Sequence, residues 1–287
     1  MTLHTSQEME KIRKVVLVPW DFTEECEIAL QHAIQLANAG DNDIMLLHII
    51  PHSLLYDTFI KKVNIKNIET LNAEFEKIAS NVEAKYGVRP QTLVLEGNPS
   101  RIFKNLILTA NVNLIVSNHA YKFKDKKIRN SRSLKKLIFK NITLPFIIVS
   151  NPPKHDHYIE IVIPVDYDQK FKEAVHWIIY LAKYYKCNIN LIKPYITDDS
   201  KKKMLANNIY FTKKMLDGVN IVYGIKTAKK KGTFEDEVFR FGNTIEADLI
   251  LVMSDKYDNF IDAKREKSLD IPVMCVNPRV RKYQSFY

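Results

Sequence analysis

The chain contains the same arrangement twice, and this internal repeat constrains its fold more than any other feature. Each copy opens with a short apolar run that ends at an aspartate, Val15–Asp21 in the first copy and Ile161–Asp166 in the second. Each copy closes with an apolar run that contains a proline near its start, Leu144–Val149 and Ile271–Val276. At 287 residues, the chain is long enough for two domains of ordinary size.

Within each copy, runs rich in valine and isoleucine alternate with amphipathic stretches. Short apolar runs of this kind indicate strands buried on both faces, as in a parallel sheet. We therefore predict an α/β fold of two tandem, doubly wound, Rossmann-like domains, each with a five-stranded parallel sheet. The predicted boundaries are 1–150 for the first domain, with a polar N-terminal segment at 1–12, and 158–287 for the second. Residues 151–157 form the linker.

Local signals mark where the helices begin and end. Thr23 is a candidate N-cap, and Gly40 is a candidate stop for the same helix. Asn98 before Pro99 places a capping residue ahead of a proline at the first helical position. The charged stretch at about 58–86 is predicted to be a long helix.

The last strand of each copy leaves an apolar edge. Unpaired apolar edges promote aggregation, so the predicted strands at 145–150 and 271–276 are expected to pair with each other. The two copies would then pack as an intramolecular pseudo-dimer, an arrangement that still permits a further homodimer.

Bulk composition narrows the function classes. The net charge of +10 suits nucleic acid, an anionic membrane surface or an anionic ligand, but the nucleic-acid-binding signatures are missing, so nucleic acid is not expected. The first dozen residues lack the apolar stretch of a signal peptide, and no apolar run approaches the roughly 20 residues of a membrane span. Cys26, Cys187 and Cys275 are predicted to be small buried residues of a cytoplasmic protein.

Several segments of the first copy together resemble the universal stress protein family, whose first strand is followed by Pro-x-Asp-Phe-Ser/Thr. The segments similar to its first, second, fourth and fifth strands are Val15–Thr23, Leu46–Ile49, Leu114–His119 and Asn141–Val149. The resemblance covers about 13–150 well and about 158–277 more loosely. It implies a tandem universal stress protein with an adenine nucleotide alpha hydrolase-like fold, which often dimerises through its last strand.

Nucleotide-binding members of that family carry Gly-x-x-Gly, about nine residues, and Gly-Ser/Thr after the fourth strand. Glycines let the backbone approach phosphates, and free N–H groups at the next helix start bind the anion. This chain has no glycine between Gly97 and Gly218, and only Ser133 or its neighbour Ser131 keeps a matching residue type. Six Lys/Arg against one Asp between Ala120 and Ser133 either hold phosphates in place of the backbone or form a solvated loop.

The resemblance implies that ATP or another adenine nucleotide binds at the carboxyl ends of the strands, where the strand order reverses. The candidate binding residues are Pro19, Asp21, Ile49, Ser117, His119 and Ser133. Asp21 either accepts hydrogen bonds from the ligand or bridges the strand–helix turn. His48 and His119 are more typical of hydrogen-bonded structural histidines than of catalytic bases.

The second copy is expected to be structural. Its equivalent segment, Ser254–Lys267, is shorter, lacks glycine and carries four acids against four bases. Asp166 is expected to bridge its own strand–helix turn. His155 and His157 supply only two ligands, so no metal site is predicted.

Three functions remain open. The first is a stress-linked binding or signalling protein with at most one degenerate adenine-nucleotide or anion site, in the first domain. The second is a scaffold that binds no nucleotide and acts through an unidentified protein partner. The third is a weak nucleotide hydrolase, which is disfavoured because no nucleophile elbow, Walker loop or pair of carboxylates in distinct environments is found. The chain is therefore not expected to be an enzyme.

Overall fold

The structure is a computed structural model that describes residues 13–51, 61–121, 144–230, 232–261, 265 and 269–277. The first copy contains β1 (Val15–Pro19), α1 (Glu24–Gly40), β2 (Asp43–Pro51), α2 (Lys61–Tyr86), β3 (Gln91–Gly97), α3 (Pro99–Thr109), β4 (Val112–Asn118) and β5 (Phe146–Val149). The second contains β6 (Glu160–Pro164), a 3-10 helix (Gln169–Ala174), α4 (Val175–Tyr185), β7 (Asn188–Lys193), α5 (Asp199–Asp217), β8 (Tyr223–Thr227), α6 (Phe234–Thr244), β9 (Leu249–Met253), a 3-10 turn (Ser254–Lys256), α7 (Tyr257–Phe260) and β10 (Val273–Val276).

The strands form one ten-stranded sheet in the order β3-β2-β1-β4-β5-β10-β9-β6-β7-β8. The second half of this order mirrors the first. All neighbouring strands are parallel except β5 and β10, which pair antiparallel with Met274 opposite Ile147. The pairing of the two closing strands that the sequence predicts is therefore present.

The central strands are covered on both faces. Every residue of β1, β5, β9 and β10 is buried. This explains why these strands read as continuous apolar runs rather than as alternating ones. The outer strands β3 and β8 are less buried, because each has a neighbour on one side only.

The helix-end signals are borne out in part. Asn98 caps α3 by accepting a hydrogen bond from the Arg101 N–H, and Pro99 is the first helical residue. Helix α1 ends at Gly40, and the next residue, Asp41, takes the left-handed conformation with φ of 50°. A Cβ on Gly40 would lie 2.5 Å from Asn42 Nδ2, the tip of a flexible side chain, so this contact alone does not require glycine.

The two copies also meet through their helices. Helix α1 contacts α4, and the Tyr185 hydroxyl donates a hydrogen bond to the carbonyl oxygen of Leu36 at 3.2 Å. His32 on α1 is 1% exposed; its Nδ1 lies 2.9 Å from the Tyr158 hydroxyl and its Nε2 lies 2.9 Å from the Asn151 carbonyl oxygen. Polar contacts therefore hold the first copy against the linker and the start of the second.

Candidate functional site

The crevice expected to hold a ligand lies where β1 and β4 leave the sheet. The strand order reverses between these two strands, the position where doubly wound sheets bind ligands. They run parallel with Leu17 opposite Ile115. Asp21 follows Leu17 by the same interval as His119 follows Ile115, so these two candidate residues leave the sheet side by side.

One oxygen of the Asp21 carboxylate is fully engaged within its own turn. Oδ1 accepts hydrogen bonds from the Thr23 hydroxyl at 2.5 Å, the Thr23 N–H at 3.2 Å and the Cys26 thiol at 3.0 Å. Phe22 lies between Asp21 and Thr23 and has a φ of 61°. This left-handed conformation turns the chain back toward the Asp21 carboxylate. Oδ2 accepts no hydrogen bond and joins no ion pair within the described residues, so this oxygen is available to a ligand.

Thr23 and Cys26 serve this turn in ways the sequence does not reveal. Thr23 occupies the N-cap position of α1 but makes no side-chain capping bond, because its hydroxyl donates to Asp21 instead. Burial, together with the hydrogen bond to Asp21, raises the pKa of the Cys26 thiol to about 12. The thiol is therefore a neutral donor and not a nucleophile at neutral pH.

The end of β4 carries two buried polar atoms without partners. Asn118 is 4% exposed; its Oδ1 accepts the Ala120 N–H at 2.8 Å, but its Nδ2 has no partner within the described part of the chain. His119 donates its backbone N–H to the Val149 carbonyl oxygen at 2.9 Å, whereas its Nδ1 is also unpartnered there. Buried polar groups are normally paired, so both atoms mark a place where a ligand or water can complete the bonding. The sequence pattern points to His119 but not to the Asn118 amide.

Tyr121 is a buried residue near the Asp21 turn. Its side chain is 5% exposed, and burial, followed by the proximity of Cys26 and Asp21, raises the pKa of its phenol. The ring thus lies close to the Asp21 turn, in the segment where nucleotide-binding relatives are expected to carry glycine. Only its place directly after the β4 strand signals this role in the sequence.

The matching crevice of the second copy is built differently. The Asp166 carboxylate forms an ion pair with Lys256, Oδ2 to Nζ at 3.3 Å, and its Oδ1 accepts the Asp168 N–H at 3.1 Å. Burial alone would lower the pKa of Lys256, but the Asp166 charge outweighs burial and raises it. A crevice of about 220 Å³ opens beside this pair, with Phe234 and Phe260 in its walls. The equivalent carboxylate is therefore already neutralised.

Residues 13–119 match the model of the Universal stress protein family. The first copy belongs to this family. No curated protein matches the chain. Among solved structures, a universal stress protein from Archaeoglobus fulgidus DSM 4304 is similar at a TM-score of 0.64 and 16% identity, covering 92% of this chain and 98% of that one. A functionally unknown protein from Pseudomonas aeruginosa PAO1 is similar at 0.58 and 13%, covering 93% of each chain.

A further similar structure is the universal stress protein from Archaeoglobus fulgidus in complex with dAMP, at 13% identity and a TM-score of 0.34. It covers 42% of this chain and 98% of that one. The two structures with the higher TM-scores cover both copies. At 16% and 13% identity, their similarity to this chain concerns the fold alone. That fold is the α/β arrangement of two doubly wound halves that the repeat predicts, joined here into one ten-stranded sheet.

Within the universal stress protein domain, the remaining candidate residues that the structure describes make local contacts or belong to the core. The Pro19 carbonyl oxygen lies 3.8 Å from the Cys26 thiol, and Ile49, 3% exposed, belongs to the core. Ser117 is buried and donates its hydroxyl proton to the Asn118 carbonyl oxygen at 3.1 Å. Ser133 and most of the basic loop lie outside the described residues.

The other expectations concern His48, metals and membranes. His48 Nδ1 lies 2.7 Å from the Trp20 carbonyl oxygen, as a structural histidine does. His155 Nδ1 contacts Asp248 at 2.7 Å, and the described ranges contain no cluster of three or more metal-ligating side chains. All three cysteines are buried and unbridged. No helix in the part of the chain that the structure describes has the length and apolar character of a membrane span.

Proposed function

We propose that this chain is a stress-response binding or signalling protein of the universal stress protein type. It carries at most one adenine-nucleotide or anion site, in the first copy. Membership of the first copy in the family and the shared tandem fold support the general assignment. The presence and position of the ligand site rest on the side chains at the two strand-end crevices.

The contrast between the two aspartates carries the proposal. Asp21 keeps one carboxylate oxygen without a partner in the described structure, and Asn118 Nδ2 and His119 Nδ1 at the adjacent strand end are unpartnered too. Asp166 stands at the same position of the second copy but is neutralised by Lys256. A ligand that donates a hydrogen bond to Asp21 and accepts one from Asn118 therefore gains more binding free energy in the first copy than at the equivalent place in the second.

A scaffold without a nucleotide site is the second candidate, and Tyr121 favours it. Its buried ring lies close to the Asp21 turn, and no glycine stands between Gly97 and Gly218 to admit phosphates by backbone contact. Phosphate binding in the first copy must then use side-chain cations, which bind with strong salt dependence.

Calorimetry with ATP, ADP, AMP and inorganic phosphate tests the proposal. We expect at most one site per chain, weaker binding in high salt, and loss of binding in Asp21→Ala but not in the matched Asp166→Ala. Two equivalent sites, or binding that survives Asp21→Ala, contradict the assignment. If none of the four compounds binds the unmodified protein, the scaffold function replaces it.

A further inference from the structure

The outer edge of β8 is an open strand edge at one end of the sheet. Among the described residues, β8 is last in the strand order and pairs with β7 alone. The Ala228 N–H donates to the Lys193 carbonyl oxygen at 2.8 Å, and Lys193 lies opposite Thr227. Bonding residues alternate along a parallel ladder, so the N–H and C=O groups of Tyr223, Ile225 and Thr227 point away from β7. These groups have no partner in the part of the chain that the structure describes.

Gly224 leaves space beside this edge that the fold itself does not need. A Cβ at this position would lie 3.6 Å from Asn190 Oδ1, an ordinary contact, and the φ of Gly224 lies outside the left-handed region. Glycine weakens a strand interior, and it often marks a place where another backbone comes close. An aromatic side chain of a neighbouring strand can also cover a glycine at a sheet edge. The position therefore favours an added strand with a large side chain over Gly224.

Apolar side chains flank the open edge. Val222 is 86% exposed and Ile225 is 42% exposed. The strand at the opposite end of the sheet, β3, differs, because its residues after Gln91 are all half-buried. Pairing with a further strand supplies partners for the backbone groups of an edge and covers the apolar side chains beside them. The exposed apolar surface is thus a property of the β8 edge and not of both ends of the sheet.

The charge around β8 selects the occupant of this edge. Residues 219–232 include four lysines and no acid, and Lys229 and Lys230 are exposed directly after the strand. Asp217, at the end of α5, already accepts the Tyr223 hydroxyl at 3.0 Å. A second copy of the chain would bring two edges of the same positive charge together, which repulsion disfavours. An acidic segment is instead attracted to the edge and gains opposite-charge pairs there.

We propose that β8 binds an acidic, extended segment of a partner protein, which joins the sheet as an additional strand. The backbone of this segment pairs with the outward-facing N–H and C=O groups of β8. One of its large apolar side chains lies over Gly224, and its carboxylates contact Lys229 and Lys230. None of the residues that line the second crevice belongs to β8, and the inference does not depend on the proposed ligand site.

Fluorescence polarisation with the labelled peptide Glu-Val-Glu-Phe-Glu-Val-Glu tests the proposal. We expect saturable binding of one peptide per chain. The peptide in which lysine replaces every glutamate should not bind. A labelled single-stranded oligothymidylate is negatively charged but has no peptide backbone to pair with β8, so it should not bind at this edge either. Absence of binding by the acidic peptide, or equal binding by the oligonucleotide, overturns the proposal.

Backbone methylation distinguishes strand addition from charge attraction. Every second N–H of an added strand faces β8, and the others face away. Two peptides of the same sequence therefore carry N-methyl groups either on the valine and phenylalanine residues or on the two inner glutamates. We expect one of these patterns to abolish binding and the other to leave it unchanged. Equal affinities of the two methylated peptides would mean that the peptide does not pair as a strand.

Substitutions in β8 locate the site. Ile225→Pro removes an outward N–H but no bond to β7, and edge strands tolerate proline, so this variant should fold and lose peptide binding. The control Ile225→Val keeps the N–H and should leave binding unchanged. Circular dichroism checks that both variants are folded. Unchanged peptide binding by folded Ile225→Pro refutes the site.

Charge variants give a second test that leaves the strand intact. Lys229→Gln with Lys230→Gln should weaken binding of the acidic peptide roughly two- to tenfold, the range expected when two exposed ion pairs are lost. The matched control Lys77→Gln with Lys104→Gln removes two exposed charges from the first copy and should have no effect. Equal effects of the two pairs overturn the proposal. Light scattering tests the other occupant, because a dimer that Ile225→Pro dissociates would assign the edge to a second copy instead.

Discussion

The Asp248 carboxylate is a single buried group that holds the linker and the first strand of the second copy together. The side chain is 5% exposed and lies just before β9. Its Oδ1 contacts His155 Nδ1 at 2.7 Å, and its Oδ2 accepts the N–H groups of Ile159 at 2.7 Å and Glu160 at 3.0 Å. Three donors from one short segment therefore converge on one carboxylate.

Replacing Asp248 with alanine leaves these three donors without their acceptor. A hydrogen bond to a charged group contributes about 1.5–3 kcal/mol, and removing one partner of a buried pair costs about 3–5 kcal/mol. Because His155 is partly exposed and water can reach it, we expect Asp248→Ala to lower the free energy of unfolding by about 3–5 kcal/mol rather than by the full sum. That loss is a large share of the roughly 5–15 kcal/mol typical of folded proteins.

Urea denaturation followed by circular dichroism measures this loss through the midpoint at constant slope. Asp248→Asn keeps the shape and one accepting oxygen, so it should cost less than alanine. The control Asp255→Ala removes a partly exposed partner of Lys170, at 3.6 Å, and should cost at most about 1 kcal/mol. An Asp248→Ala cost as small as that of the control would refute the reasoning.

Two further predictions concern pH and the core. Burial lowers the pKa of His32 below the ordinary value near 6.5. The contribution of the neutral His32 to stability is therefore complete above that pH and is lost as the pH falls. The free energy of unfolding changes through this group by at most about 1.4 kcal/mol per pH unit. Melts of the natural protein and of His32→Gln between pH 7 and 5 should therefore converge, and parallel curves would contradict this. Ile163 is 0% exposed in β6, so Ile163→Asp should cost several kcal/mol in thermal melts, whereas the more exposed Asp166→Ala should cost far less.

The sheet was predictable because its signal is local and repeated. The run Val15–Pro19 is buried at every position, and the matching run of the second copy occupies the mirrored place in the strand order. The apolar edges of Phe146–Val149 and Val273–Val276 had to be covered, and pairing them covers both at once. Such arguments need only the residue types along each strand.

The site was less predictable because its side chains form hydrogen bonds with residues a few positions away instead of with the partners that their residue types suggest. Thr23 has the residue type of a helix cap, but its hydroxyl donates its hydrogen bond to Asp21, two residues earlier, instead of to the helix. Asn118 looks like an ordinary strand-end residue until its amide is seen buried without an acceptor. Tyr121 shows its effect only through its proximity to Cys26 and Asp21, which no spacing along the chain reveals.

The two copies differ most in the helical layer that covers the sheet. In the second copy Asn208 bonds back to the turn after β6, and Lys256 neutralises Asp166 in that turn, so helix and strand end are locked together. In the first copy the Asp21 carboxylate is held by its own turn, and α2 meets that turn through the ring contact between Phe22 and Phe75. A space of about 310 Å³ lies between α1 and α2. A repeat that keeps its strands but changes which helix fastens the first turn therefore retains one fold while creating two different surfaces.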